Sequence, residues 1–220
     1  MSTEQLQQAF ASTRGVLAQV TAAQLDLPTP CQSWDVRGLV NHIVGGSRWF
    51  GASVEAGKSV DEFAAGEWAD GDFVASFDEG VERTVAAFGA PGAQEKMIEL
   101  PFGTFPGAVF MGLATSDTFT HGWDLARATG QSTDLDPALA DALLAQARMS
   151  IPEAFRGADG VAPFGRDCSM PRAGCTEDRS SSRRSRSSTC SSPARSSQCT
   201  PTFPNSVART ARWCRSGCSW

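Results

Sequence analysis

The chain has only two histidines, His42 and His121, and the second follows a carboxylate by four residues in SDTFTHGWDLARATG (116–130). On a helix, residues four apart share a face with Cβ atoms about 5–6 Å apart, so Asp117 and His121 can reach one point from one side. Leu113 and Leu125 continue the same stripe, which predicts that it faces a core. A carboxylate in such a place is costly unless it is paired or bound to a cation, and no Lys or Arg at 113, 114 or 120 pairs it locally. His42 lies in WDVRGLVNHIVGG (34–46), near the edge of a second apolar face, with Gly38, Gly45 and Gly46 about one turn away. Glycines in a helix interior cost roughly 0.5–1 kcal/mol each relative to Ala, so their presence predicts that space beside this ring matters.

If the two helices pack together, His42, Asp117 and His121 form a His₂–carboxylate set. Three protein ligands with a remaining open position is the form of a catalytic zinc site. The same set with open positions also suits Fe(II), so ligand type alone does not choose the metal. A plainer reading stays open beside it: Asp-x-x-x-His on a helix as a local hydrogen-bonded pair, with His42 a satisfied core residue. A di-iron bundle would need Glu and Glu-x-x-His pairs on four helices, and the sequence lacks them.

The elements that must position these residues are legible from hydrophobic spacing. Residues 4–22 carry Leu6, Phe10, Val16, Leu17 and Val20 at helical spacing, and LPTPC (27–31) ends that helix. Ser33 or Asp35 can cap a second helix running to about residue 57, with Val36, Leu39, Val40, Ile43, Val44 and Phe50 on its buried face. Phe73, Phe77, Val81, Val85 and Phe88 predict a third helix over 72–89, closed by APGA (90–93). EKMIELPFGTFPG (95–107) holds a short extended run between turn formers. A fourth helix follows over 107–129 with Gly130 as its stop, and a fifth opens at STDLDP (132–137) and runs to about residue 154. The expected class is all-α, an antiparallel four-helix bundle with a short extended segment before the fourth helix.

Composition divides the chain in two. Residues 1–179 hold all 24 acidic residues and 12 of the 19 basic ones, a net charge of −12, which argues against nucleic-acid binding by this body. Residues 180–220 hold seven Arg, no acidic residue and 13 Ser in 41 positions, with no Leu or Ile, so this tail cannot build a core and is expected to be disordered. Two readings of the tail are open: an Arg/Ser-rich nucleic-acid arm, or a frameshifted ending, since out-of-phase reading of GC-rich DNA yields this mixture of Ser, Arg, Cys and Trp. Cys31, Cys168 and Cys175 are widely spaced in the body, four more lie in the tail, and none forms a CxxC pair, which makes a zinc ribbon or a thioredoxin-like site a poor fit. No apolar run approaches the roughly 20 residues of a membrane span, and the polar start MSTEQLQQAF does not read as a signal peptide. The expectation is a cytoplasmic protein.

TPCQSWDVRGLVNHIVGGSRWF (29–50), LPFGTFPG (100–107) and SDTFTHGWDLARATGQ (116–131) resemble the DinB-like superfamily, in particular the metal-binding proteins related to the N-terminal domain of mycothiol-dependent maleylpyruvate isomerases. The resemblance spans residues 1 to about 179 and implies a four-helix bundle domain. It also implies a divalent metal, usually zinc with Fe²⁺ or Ni²⁺ as alternatives, on His42, Asp117 and His121. Its implied chemistry is that of a mycothiol-dependent transferase or isomerase: a low-molecular-weight thiol, made nucleophilic at the metal, meets an electrophilic small-molecule substrate. A homodimer is implied by the resemblance alone. The alternative function is a non-catalytic metal- or small-molecule-binding protein, for instance one induced by stress. After EDR (177–179) the family's short apolar ending gives way to SSSRRSRSS, which favours the frameshift reading.

Three further residues carry expectations. Trp49, seven residues after His42, either lines the pocket or is core. Arg37 and Asp124, from WDVR and GWDLAR, are expected to form a buried pair, as scaffold rather than for substrate binding. Cys31 is expected to be a small buried residue rather than a nucleophile.

Overall fold

The computed structural model describes residues 2–31, 34–60, 66–150, 156–157 and 164–165. The expected tail, residues 180–220, lies outside the described residues. The described residues are mostly helical, with five α-helices, two 3₁₀ turns and two small two-stranded sheets.

Helix α1 (Thr3–Leu17) starts at a capping box in which the Ser2 hydroxyl accepts from Gln5 N–H and the Gln5 side chain accepts from Ser2 N–H. It is shorter than the spacing predicts. The Gln24 side chain accepts from the Thr21 N–H and hydroxyl at the start of a 3₁₀ turn, Ala22–Gln24, and gives the backbone a competing arrangement where the spacing predicts continued helix. Helix α2 (Val36–Ala56) is capped by Asp35, whose side chain accepts from Gly38 N–H, and ends at Gly57 with φ 72°. Asp72 caps α3 (Phe73–Gly89) in the same way, through Ala75 N–H. The extended run resolves into an antiparallel hairpin, β1 (Met97–Leu100) against β2 (Gly103–Pro106). Helix α4 (Gly107–Ala128) follows at once, with Gly130 (φ 72°) just beyond its end. The Asp136 side chain accepts from Leu139 N–H at the start of α5 (Pro137–Ser150), and the expected extension to residue 154 lies outside the described residues. Arg156–Gly157 (β3) and Phe164–Gly165 (β4) pair in parallel.

Helices α1 to α4 share one core: α2 packs on α3 and α4, and α1 on α3 and α4. Phe10, Phe50, Phe77, Phe88 and Phe110 are its largest fully buried side chains, and edge-to-face ring pairs such as Phe50–Phe110 at 5.7 Å tie α2 to α4. Trp49 belongs to this core. Its ring lies 5.2 Å from Phe110 edge-on, and its Nε1 donates to the Ser59 hydroxyl.

One glycine sets the α1–α4 approach beside the candidate site. A Cβ at Gly122 would lie 2.3 Å from Thr13 Oγ1, and Thr13 itself donates to the Thr118 carbonyl on α4 at 2.8 Å. Only hydrogen at that position lets α1 sit so close to the turn that carries His121. No helix among the described residues is long and apolar enough to cross a membrane.

Candidate metal centre

His42 on α2 and the Asp117–His121 pair on α4 meet in the interior where the two helices cross. The Nε2 atoms of His42 and His121 each lie 3.2 Å from the same oxygen, Asp117 Oδ1. The two imidazoles stand edge to face with centroids 4.7 Å apart. One ligand atom from each of the three residues falls within 4.8 Å of the other two. Exposures of 8%, 2% and 7% for His42, Asp117 and His121 place all three away from bulk water.

The electrostatics follow from this geometry. Burial opposes charge on His42 and lowers its pKa, with Asp117 offsetting the effect only in part. Burial also works against the Asp117 carboxylate, but the two rings outweigh it and hold its pKa below the ordinary value. For His121 burial is again the largest opposing effect, and Asp117 and Asp124 together overcome it, pushing its pKa up to about 10. The metal-free cluster therefore holds positive charge on the ring that touches both carboxylates.

Residues around the set orient it. His121 Nδ1 lies 3.2 Å from Asp124 Oδ2, one helical turn along α4. A ring nitrogen donating to a carboxylate leaves the other nitrogen with its lone pair, and a carboxylate behind a metal-ligating histidine has this same arrangement. The Cys31 thiol reaches the same Asp124 oxygen at 3.5 Å. Trp34 lies over both rings, 4.5 Å from His42 and 5.7 Å from His121. Thr29 holds this stretch of loop in place: its hydroxyl contacts the Cys31 and Trp34 carbonyls and accepts from Cys31 N–H.

The donor set passes a chemical test for a divalent metal. Two imidazole nitrogens and a carboxylate oxygen converge, no Lys or Arg pairs with Asp117 among the described residues, and Asp124 stands behind one ligand. Of the expected glycine space, the part beside Gly38 is filled by Trp34, whose ring would lie 3.3 Å from a Cβ there. A Cβ at Gly46 would sit 3.8 Å from Asp117 Oδ2, so that glycine borders the carboxylate.

The expected Arg37–Asp124 pair does not form. Arg37 points outward to Asp70 in an exposed ion pair, while Asp124 is 1% exposed and engaged by His121 and Cys31. A guanidinium at the start of α2 stays solvated when an exposed carboxylate is within reach, which avoids its desolvation. Cys31 is buried as expected, at 1%, though beside the site rather than in plain core. Sequence reasoning missed Asp124 and Trp34 as parts of the site. For Asp124 a signal existed: it stands three residues after His121, on the same face of α4.

The same residues connect the chain to known proteins. The family model for the mycothiol maleylpyruvate isomerase N-terminal domain matches residues 6–126. Two Mycobacterium tuberculosis proteins, uncharacterized protein MT0763 of strain CDC 1551 / Oshkosh and uncharacterized protein Rv0738 of strain H37Rv, are each 40% identical to this chain over 176 residues, covering 78% of it and 88% of their own length. With more than half of its residues matched by the family model, this chain belongs to the mycothiol maleylpyruvate isomerase N-terminal domain family, within the DinB-like superfamily.

Proposed function

We propose that the chain is a thiol-dependent transferase or isomerase built on a DinB-like four-helix bundle, with zinc held by His42, Asp117 and His121. The observation that carries this reading is the convergence of both histidine Nε2 atoms on one Asp117 oxygen at 3.2 Å, with the far nitrogen of His121 already turned to Asp124. A divalent metal held there supplies Lewis acidity, which lowers the pKa of a thiol in the remaining position and makes it a nucleophile.

The chain's own residues do the rest. Asp124 fixes the His121 tautomer, so that Nε2 faces Asp117. Trp34, stacked at a 31° tilt on His42, holds that ring against α4 and shields it from water. Burial of the set strengthens every electrostatic contact inside it. A low-molecular-weight thiol such as mycothiol is the proposed cosubstrate, and an electrophilic small molecule is the substrate.

A second reading, a non-catalytic metal binder, draws support from the deep burial of the three ligands. Cobalt substitution separates the two. On the thiol-dependent reading, adding a small thiol to the Co(II) protein brings up a thiolate charge-transfer band that His42→Ala and His121→Ala abolish. A Co(II) spectrum indifferent to thiol favours the non-catalytic reading. If the protein takes up no metal, both fall.

A further inference from the structure

The far side of His121 carries a second group of metal-ligand type. Cys31 Sγ, His121 Nδ1 and Asp124 Oδ2 are separated by 3.5 Å (S–O), 3.9 Å (S–N) and 3.2 Å (N–O). Tetrahedral zinc with bonds of about 2.0–2.3 Å places such donors about 3.3–3.6 Å apart, so these three atoms already stand near the corners of one face. All three residues are buried, at 1%, 7% and 1%. An independent observation points the same way: Asp124 Oδ1, on a carboxylate almost fully out of water, has no hydrogen-bond partner among the described residues. A buried carboxylate oxygen left unsatisfied is costly, and a cation beside it relieves that cost, which is why such groups pair or coordinate. The only ion-pair partner of Asp124 among the described residues is His121, which it shares with Asp117.

We infer that Cys31, Asp124 and the Nδ1 of His121 form a second site for a thiophilic divalent cation, zinc or cadmium, with His121 bridging it to the first. A thiolate beside an imidazole nitrogen selects soft or borderline cations over magnesium or calcium. The charges balance. Entry of the cation displaces two protons, one from the Cys31 thiol and one from His121 Nδ1, so its two positive charges are matched and the buried cluster gains no net charge. The inference rests on the metal reading above for the orientation of His121.

The test uses the full chain with its six other cysteines replaced by Ser, stripped of metal and titrated with Cd²⁺. The expected result is two Cd²⁺ per chain, with a thiolate-to-cadmium absorption band that rises with the second equivalent. Cys31→Ser then binds one Cd²⁺ and shows no band, and Asp124→Asn weakens the band-forming event by at least tenfold. The band reports Cys31 coordination in the parent protein, so the outcome does not depend on either variant folding. One Cd²⁺ per chain with no band overturns the second site and leaves the first standing. A single Cd²⁺ whose band survives His42→Ala supports the second site and sinks the first.

Discussion

The Nε2 side of His121 meets residues from two helices, whereas its Nδ1 side meets its own helix and a loop. On the first side Asp117 shares α4 with His121, but His42 arrives from α2, so the set exists only when the two helices cross at this point. On the second side Asp124 is delivered by helical spacing alone, and Cys31 by a loop that Thr29 holds with three short contacts. Each face therefore has one partner supplied locally by α4 and one brought by tertiary packing, a helix residue on the first and a loop residue 90 positions away on the second. Damage to the α2–α4 crossing should reach the first face directly and the second only through the loop that leads into α2.

The largest effect should come from the residue common to both faces. His121→Ala leaves Asp117 with one partner and Asp124 with only the Cys31 thiol. Breaking a buried charge pair in this way costs about 3–5 kcal/mol, to be read from urea unfolding of the metal-free proteins, and the variant should retain no metal on either face. A smaller loss would mean that the two carboxylates are less dependent on this ring than their geometry shows.

Asp124→Asn tests how far the second face supports the first. Outer carboxylates behind ligating histidines contribute about 10–100-fold to metal affinity, so chelator competition should show weaker zinc binding by that factor. Unchanged affinity would mean that Asp124 does not orient His121. Gly122→Ala attacks the packing instead. The new methyl would meet Thr13 Oγ1 at 2.3 Å, and overpacking of this kind costs about 1–3 kcal/mol. Its urea midpoint should fall, and metal affinity should weaken with it, because the shifted turn of α4 carries His121.

The smallest effect is expected at Arg37→Ala. Exposed ion pairs contribute about 0.2–1 kcal/mol, and Arg37 is bound to Asp70 at the surface. Metal content and affinity should match the parent protein. A clear loss of metal would restore the link between Arg37 and Asp124 that the structure does not show.

Much of the fold was legible in the sequence because apolar residues recur at helical spacing and the caps are local. Asp35, one of the two expected caps, opens α2, and Gly130 follows α4 as a left-handed stop. The end of α1 was not legible, since the Thr21–Gln24 cap competes with continued helix in a way that apolar spacing does not register. Within the site, the Asp117–His121 pairing was readable from a spacing of four. The three-residue spacing to Asp124 was equally readable, but an expected salt bridge to Arg37 masked it.

What the sequence determined by itself is therefore the local chemistry: which helices form, and that a carboxylate and a histidine share one face of α4. The tertiary structure decided that the expected meeting with His42 takes place, and it alone placed Trp34 over the set and Cys31 behind His121. The reason is physical. Helical periodicity is a property of neighbours in the chain. The meeting of α2 with α4, 75 residues apart at His42 and Asp117, depends instead on how close two helices can come, and that is set by side-chain volumes at the crossing, where a Cβ at Gly46 would already sit 3.8 Å from Asp117 Oδ2.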